Sequence, residues 1–146
     1  MEQSDEILNT VSYWAAKSFL DRGPQGFDAP DTLNRVFLPD AAEKAKNEFK
    51  AIADECKKKN IHQKLEIARI DLQRLGDGII MSRVVGQILT RAQIGDEQVE
   101  QPQPTVLTLK LVRNPFLGRN QRYPFAVVDY SFGEPEPLSV QTTENK

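Results

Sequence analysis

The stretch that decides the fold is residues 68–94, ARIDLQRLGDGIIMSRVVGQILTRAQI. At its start, Ala68, Ile70 and Leu72 alternate with polar side chains, a pattern typical of a strand with one buried face. Gly76-Asp77-Gly78 follows and predicts a hairpin turn, because glycine readily adopts the positive φ angles that tight turns require. The stretch therefore predicts an antiparallel hairpin.

The second arm of this hairpin runs from Ile79 to about Ile94 and carries Gly86 in its interior. A glycine inside a strand commonly marks a bulge or a sharp bend. We therefore predict a strongly curved sheet.

Two more strands are predicted downstream. Thr105–Arg113 and Phe125–Phe132 have strand-like patterns. The apolar side of the first of them consists of Leu107, Leu109 and Leu111. Gly95–Pro104 is acidic, rich in glutamine and contains two prolines, so we interpret it as a loop. Asn114–Pro124 is rich in turn residues and connects the last two strands.

Helical periodicity precedes the sheet. Apolar residues recur at three- and four-residue steps from Asp5 to about Asp21, which predicts a first helix that ends before Gly23-Pro24-Gln25-Gly26. Pro30 opens a shorter second helix, and Pro39 closes it because a proline disfavours helix in the preceding residue. The apolar stripe of the first helix comprises Ile7, Leu8, Val11, Trp14, Ala15, Phe19 and Leu20. We therefore expect Trp14 to pack in the core.

The third helix is predicted to begin at Asp40, which caps the first amides while Glu43 reaches back in a capping box. Its end carries Lys57-Lys58-Lys59, whose charges complement the helix dipole. Its apolar stripe comprises Ala41, Ala45, Phe49, Ile52, Ala53 and Cys56. Lysines along this helix are interleaved with acidic residues, so we interpret them as a solvated face rather than a nucleic-acid patch.

Three helices followed by four strands with short connections predict an α+β fold, with the helices on one face of an antiparallel sheet. A sheet bent at Gly86 would wrap the third helix into a cone. The predicted domain spans residues 5–133, and residues 134–146 are polar and predict a flexible tail.

Composition argues against several classes of function. The chain has 146 residues, enough for one domain, and its formal net charge of −2 argues against a dedicated nucleic-acid binder. No apolar stretch approaches the roughly 20 residues that cross a bilayer. The one cysteine, Cys56, cannot form an internal disulfide. With one histidine, one cysteine and no phosphate-binding glycine motif, the sequence predicts neither a metal nor a cofactor.

Residues suited to catalysis are sparse. His62, the only histidine, lies between the third helix and the first strand and is interpreted as a structural or surface residue. Asp71 alternates with apolar positions and should face solvent. Tyr123, Asp129 and Tyr130 remain as groups for an acid–base site inside the cone. We assign no catalytic residue and predict that the chain is not an enzyme.

The segment that stands apart is Asn114-Pro115-Phe116-Leu117-Gly118. Asn-Pro starts turns, and Gly118 suits the backbone conformation that closes a hairpin. Phe116 and Leu117 are two large apolar residues at a hairpin tip, where exposure is expected, and exposed apolar surface tends to mark an interface. A plain turn and a partner contact both remain open.

The order of these features resembles the periplasmic domain of the TraE-type inner-membrane assembly factor of type IV secretion and conjugation machines. The resemblance runs from about Asp5 to Gly133. It rests on Phe37-Leu38-Pro39 followed by the lysine-rich helix, on the Gly86 strand and above all on residues 114–118.

The resemblance implies a nuclear-transport-factor-two-like cone and a structural role without catalysis. It implies that the chain forms a homodimer and contacts other secretion subunits, on the periplasmic side of the bacterial inner membrane. The family's N-terminal membrane anchor is absent from this chain. The family's Asn-Pro-x-Gly motif, which is associated with dimerisation and partner contacts, falls on Asn114, Pro115 and Gly118, with one extra residue inside it.

The main alternative is a small enzyme on the same cone, such as a dehydratase or isomerase, or a carrier of an apolar ligand. Either would place an internal site at Tyr123, Asp129 or Tyr130. That alternative requires an open pocket with inward polar groups and a perturbed pKa, whereas a scaffold tolerates a filled core.

Overall fold

The structure is a computed structural model that describes residues 2–114 and 124–133. In this part of the chain, helices α1 (Glu2–Leu20), α2 (Pro30–Val36), α3 (Pro39–Lys50) and α4 (Ala53–Lys58) accompany six strands. The strands are β1 (Arg22–Gly23), β2 (Gly26–Phe27), β3 (His62–Gly76), β4 (Ile79–Ile94), β5 (Glu97–Arg113) and β6 (Phe125–Phe132). The tail predicted at residues 134–146 lies outside the described residues.

The strands form one antiparallel sheet in the order β2-β1-β3-β4-β5-β6. The predicted hairpin is confirmed, since β3 and β4 pair across a turn in which Asp77 and Gly78 have φ angles of 56° and 76°. The α+β prediction is also confirmed. The predicted counts of three helices and four strands are too low for the described chain.

The curvature of the sheet arises at Gly86 of β4, where this strand pairs with Ile67 of β3. The pairing register of β3 shifts between Ile67 and Arg69, opposite Gly86 and Val85, so Ala68 is an extra residue in a bulge. One extra residue reverses the alternation of faces, so the prediction that Ala68 shares the inward face of Ile70 is wrong. Ile67 packs on the core before the bulge, Ile70 packs on it after the bulge, and Ala68 is exposed.

The prediction of a loop over Gly95–Pro104 is wrong, because β5 begins at Glu97 and pairs with β4 from Glu97 to Leu111. The carbonyl of Val106 accepts a hydrogen bond from the amide of Gly133, on the side of β5 away from β4. Backbone groups alternate sides along a strand, so the nitrogens of Pro102 and Pro104 also point away from β4. The two prolines therefore cost no ladder hydrogen bond, as is usual for proline on an edge.

Residues 23–26, predicted only to end the first helix, form the tip of a short hairpin between β1 and β2, in which Gly23 pairs with Gly26. Arg22 pairs with Phe27 in this short hairpin and with Gln63 of β3, which adds two strands to the edge of the sheet.

The prediction of one capped helix from Asp40 to Lys59 is wrong in two respects. The amide of Leu38 donates to the carbonyl of Val127 in β6, so α3 begins immediately afterwards at Pro39, with Leu38 as N-cap and no side-chain cap. The chain then leaves the helix at Ala51, and α4 starts a separate turn that buries Cys56. Ile52, predicted in the apolar stripe, is exposed at this break.

The core lies between the concave face of the sheet and the first three helices. Residues from both layers are fully buried there: Leu8, Val11, Ala15, Leu33, Val36, Phe37, Ala45, Leu107, Leu109, Leu111 and Val127. The predicted inward face of Leu107, Leu109 and Leu111 is confirmed. Trp14 and Ile7 are exposed by 43% and 38%, so their predicted place in this core is wrong.

Ser12 of α1 and Ser82 of β4 form a buried polar pair inside this core. Both are fully buried, and the Ser82 hydroxyl donates to Ser12 Oγ at 2.6 Å. Ser12 occupies a position on the sheet-facing side of α1 that an apolar residue would usually fill. The pair fixes the height of α1 on the sheet, since a shift by one turn would leave both hydroxyls unsatisfied.

We expect Ser12→Ala to lower the free energy of unfolding by about 1–3 kcal/mol, because it leaves the buried Ser82 hydroxyl without its hydrogen-bond acceptor. The double variant Ser12→Ala/Ser82→Ala should lose less than the sum of the single variants, since neither hydroxyl is then left unpaired. Urea denaturation of all four proteins measures this coupling, and strictly additive losses would contradict it.

Candidate interaction surface

The predicted interface segment begins at the end of β5. Asn114 is buried, and its backbone amide donates to the carbonyl of Pro124 at 2.8 Å. This bond holds together the two ends of the connection between β5 and β6. Pro115, Phe116, Leu117 and Gly118 lie outside the described residues. Their predicted role stays a prediction.

A second surface, which the sequence analysis missed, lies on the outer side of α1. We call it the α1 face and define it by Ile7, Thr10, Tyr13 and Trp14. Tyr13 and Trp14 pack edge to face with their ring centroids 5.0 Å apart, and both rings are about 40% exposed. Aromatic residues that remain half exposed on a helix are typical of protein–protein contacts.

The α1 face adjoins Pro124, where the chain enters β6. A depression of about 270 Å³ is lined by Glu6, Ile7, Thr10, Val11 and Pro124. Because the backbone amide of Asn114 is bonded to the carbonyl of Pro124, both described ends of the connection between β5 and β6 lie near this depression.

Within the described residues, aromatic side chains pack together in the interior of the cone. The ring of Phe19 lies 5.9 Å from that of Phe37 and 4.5 Å from that of Tyr130, measured between centroids. Tyr130 is only 5% exposed and belongs to the core cluster. Aromatic packing thus occupies the space in which an internal ligand would lie.

The residues predicted for an alternative acid–base site do not converge. Tyr130 points inward, whereas the neighbouring Asp129 carboxylate is 62% exposed and pairs with the ammonium of Lys44 at 3.0 Å. That hydrogen bond and one from the amide of Tyr130 hold the pKa of Asp129 below its usual value. Tyr123 lies outside the described residues.

The Tyr130 hydroxyl donates to Glu48 Oε1 of α3 at 2.7 Å, and Lys44 lies over the Tyr130 ring at 4.2 Å. Burial first, and then the hydrogen bond to Glu48, raise the pKa of the Tyr130 phenol. A phenol that donates to a carboxylate and resists ionisation is a poor general base at neutral pH. The contacts instead fasten α3 to β6.

The remaining candidates lie at the surface. His62 is exposed at the start of β3. Asp71 is exposed as predicted and pairs with Arg69 at 3.0 Å. Burial raises the pKa of the Cys56 thiol, so the thiol is un-ionised at neutral pH. Among the described residues, no three histidine, cysteine or acidic side chains lie close enough together to hold a metal ion.

The contact between Tyr130 and Glu48 leads to a prediction about alkaline stability. A phenol whose pKa is raised on folding stabilises the native state below pH 10, and that contribution is lost as pH rises further. Tyr130→Phe should cost about 1 kcal/mol at pH 8 and should lose less stability than the parent between pH 10 and pH 11.5. Urea unfolding across this range measures both effects. Tyr13→Phe, which changes an exposed phenol, should behave like the parent; an identical alkaline profile for Tyr130→Phe would contradict the prediction.

Solved structures share this fold across most of the chain. An IcmL-like type IV secretion system protein from Legionella pneumophila matches with a TM-score of 0.66 and 13% identity, over 89% of this chain and 92% of that one. The periplasmic domain of DotI matches with a TM-score of 0.62 and 17% identity, over 87% and 92% of the two chains.

An Ntf2-like protein involved in plasmid conjugation matches with a TM-score of 0.55 and 9% identity, over 87% of this chain and 48% of that one. No protein-family model and no curated protein matches the sequence. At these identities the likeness establishes the fold, which is the nuclear-transport-factor-two-like cone that the resemblance implied. Within the described residues, no helix is long and apolar enough to cross a membrane.

Proposed function

We propose that the chain is a non-catalytic assembly domain of a type IV secretion or conjugation machine, of the TraE type. The observation that carries this proposal is the match of fold, over nearly the whole chain, to proteins described as secretion-system and conjugation components. The sequence resemblance at Phe37-Leu38-Pro39 and at residues 114–118 supports the same assignment.

The aromatic packing inside the described part of the cone favours a scaffold over an enzyme or a carrier. A carrier needs a cavity of several hundred Å³ inside the cone, and catalysis needs polar groups directed into it. Phe19, Phe37 and Tyr130 occupy that space here, and the Tyr130 hydroxyl is bound to Glu48.

The α1 face acts in self-association and in contacts with other secretion subunits. Trp14 and Tyr13 supply exposed aromatic area, which is enriched at the centres of interfaces. In this proposal Asn114, Pro115, Phe116, Leu117 and Gly118 contact the same partners. The domain acts on the periplasmic side of the inner membrane, and the periplasmic domain of DotI, which shares its fold, supports a periplasmic location.

Site-specific photo-crosslinking tests the assignment. A photoreactive residue replaces Phe116 in the full-length protein, intact cells are irradiated, and the captured proteins are identified by mass spectrometry. We expect capture of a second copy together with envelope secretion subunits. The matched control is Ile94, the last residue of β4, which is 58% exposed. Equal capture from both positions would contradict the proposed surface, and capture of no secretion subunit from Phe116 would contradict the function.

A further inference from the structure

The first part of β5 is an unpaired edge of the sheet. β6 pairs with β5 only from Leu107 onward, and the ladder ends where the amide of Gly133 donates to the carbonyl of Val106. All residues from Glu97 to Pro104 are exposed. Among residues 2–114 and 124–133, no strand lies beside this segment on the side away from β4. We call that side the open side of β5.

Two separate contacts show which backbone groups point to the open side. The carbonyl of Val106 faces β6 and therefore points away from β4. At the other end of β5, Gln98 pairs with Gln93, whose amide donates away from β5 to the carbonyl of Lys59. Residues of such a pair direct their backbone groups away from each other, so Gln98 also faces the open side. Since the pairing with β4 has no bulge, every second residue between these two faces it as well.

The residues that face the open side before Val106 are Gln98, Glu100, Pro102 and Pro104. The two prolines have no N–H to donate, and their rings would press against the carbonyl groups of an approaching strand. Gln98 and Glu100 keep their donors at the outer end of the edge. A strand that approaches the open side would therefore gain hydrogen bonds at one end only.

The same edge carries exposed apolar side chains. Ile94 and Val99 are 58% and 38% exposed. Ile94 pairs with Glu97, two residues before Val99, so both apolar side chains lie on one face of the sheet. A long exposed edge with apolar surface is a template on which another chain can add a strand.

The end of the chain itself is poorly suited to cover this edge. Continuing the register of β6 past Gly133 would set Pro135 opposite Pro104 and Pro137 opposite Pro102. Neither residue of either pair could donate a hydrogen bond. A strand that adds to the open side is therefore expected from another molecule, and a second copy offers an identical edge with the same unpaired groups.

We infer that Pro102 and Pro104 keep the open side of β5 from pairing with a second copy of the chain, so that self-association is confined to other surfaces. Two identical edges can pair antiparallel about a twofold axis, and the prolines remove the donors on which that pairing depends. The inference concerns β5 alone and does not depend on the proposed assembly function.

Hydrogen exchange of the parent protein, followed by nuclear magnetic resonance, tests whether the edge is open. The amides of Gln98 and Glu100 should exchange rapidly, because they face the open side. The amides of Val99 and Gln101 face β4 and should be protected. Equal protection of both sets would show that a strand already covers the edge, and it would overturn the inference without any variant.

The double variant Pro102→Thr/Pro104→Thr restores both donors with a residue that is common in strands. Trp14→Ala serves as the common background, so that association through the α1 face contributes little. We expect the association constant from sedimentation equilibrium to rise at least about tenfold. The amides of Gln98 and Glu100 should become protected as the protein concentration increases, and circular dichroism verifies that the variant is folded.

Gln101→Thr/Gln103→Thr is the matched control in the same background. It adds two threonines to the same exposed segment, but the amides at these positions face β4 and are already paired. Its association constant should stay within about twofold of the background. An unchanged association constant in the proline variant would overturn the inference. An equal rise in both variants would assign the effect to strand propensity and would also overturn it.

Discussion

Gly86→Ala should remove a large part of the stability of the fold. A Cβ atom built at Gly86 would lie 2.0 Å from the carbonyl oxygen of Glu66 and 3.0 Å from Ile67 Cα, and both are backbone atoms of β3. Backbone in the centre of a sheet cannot rotate away as a side chain does. The strands must separate at this point, which would disrupt the bulge at Ala68 and the curvature that closes the cone over the core.

The expected loss exceeds the 1–3 kcal/mol typical of overpacking, and we expect at least about 4 kcal/mol. The free energy of unfolding of native proteins is roughly 5–15 kcal/mol, so the substitution should remove a large part of it. Circular dichroism and urea unfolding measure the outcome.

Gly23→Ala is the matched control for the steric argument. A Cβ atom at Gly23 would meet Asp28 Oδ1 and His62 Nδ1 at 3.7 Å, which is ordinary van der Waals contact. Its unfolding midpoint should stay close to that of the parent. If Gly86→Ala unfolds at nearly the same denaturant concentration as Gly23→Ala, the close approach of β3 and β4 is not what Gly86 provides.

The hairpin of β3 and β4 was predictable because two local signals agree there. Alternation over several residues specifies a strand, and Gly76-Asp77-Gly78 specifies a turn that reverses it. The bounds of β4 and β6 agree with prediction for the same reason. The bulge was harder to place, since Gly86 lies on β4 while the extra residue that it accommodates lies on β3.

The first part of β5 was missed because its prolines are local signals for a loop. A strand can contain these prolines only if their nitrogens face a side that has no neighbouring strand. On the side of β5 opposite β4, β6 pairs only from Leu107 onward. This arrangement depends on the tertiary fold and cannot be recognised from the local sequence. A search for alternation would also have failed here, since Glu97–Pro104 is exposed on both faces and carries no apolar side.

The α1 face was missed because apolar periodicity shows which side of a helix is buried but not how far around the helix the burial extends. Trp14 falls on the same helical spacing as Leu8, Val11 and Ala15, yet Ser12 occupies the position against the sheet. The available signal was the four-residue series Leu8, Ser12 and Ala16, whose small members complete the buried stripe and leave Trp14 outside it.

Trp14→Ala should weaken self-association strongly and leave the fold intact. Tryptophan residues that anchor interfaces cost 2 kcal/mol or more when truncated, which corresponds to about a 30-fold loss of affinity. Trp14 is half exposed and its edge-to-face partner Tyr13 is equally exposed, so the fold should lose less from the truncation than the interface does. Sedimentation equilibrium measures the association constant, and thermal denaturation measures the fold.

Ile94→Ala separates the α1 face from apolar exposure in general. Ile94 is the more exposed residue of the two, at 58% against 43% for Trp14, so a nonspecific hydrophobic association would respond to it at least as strongly. The proposed interface places Trp14 inside the contact and Ile94 at the distant turn between β4 and β5. A 30-fold loss in Trp14→Ala with no change in Ile94→Ala therefore assigns self-association to the α1 face. Equal effects of the two substitutions, or an unchanged association constant in Trp14→Ala, would instead leave the α1 face without a role in it.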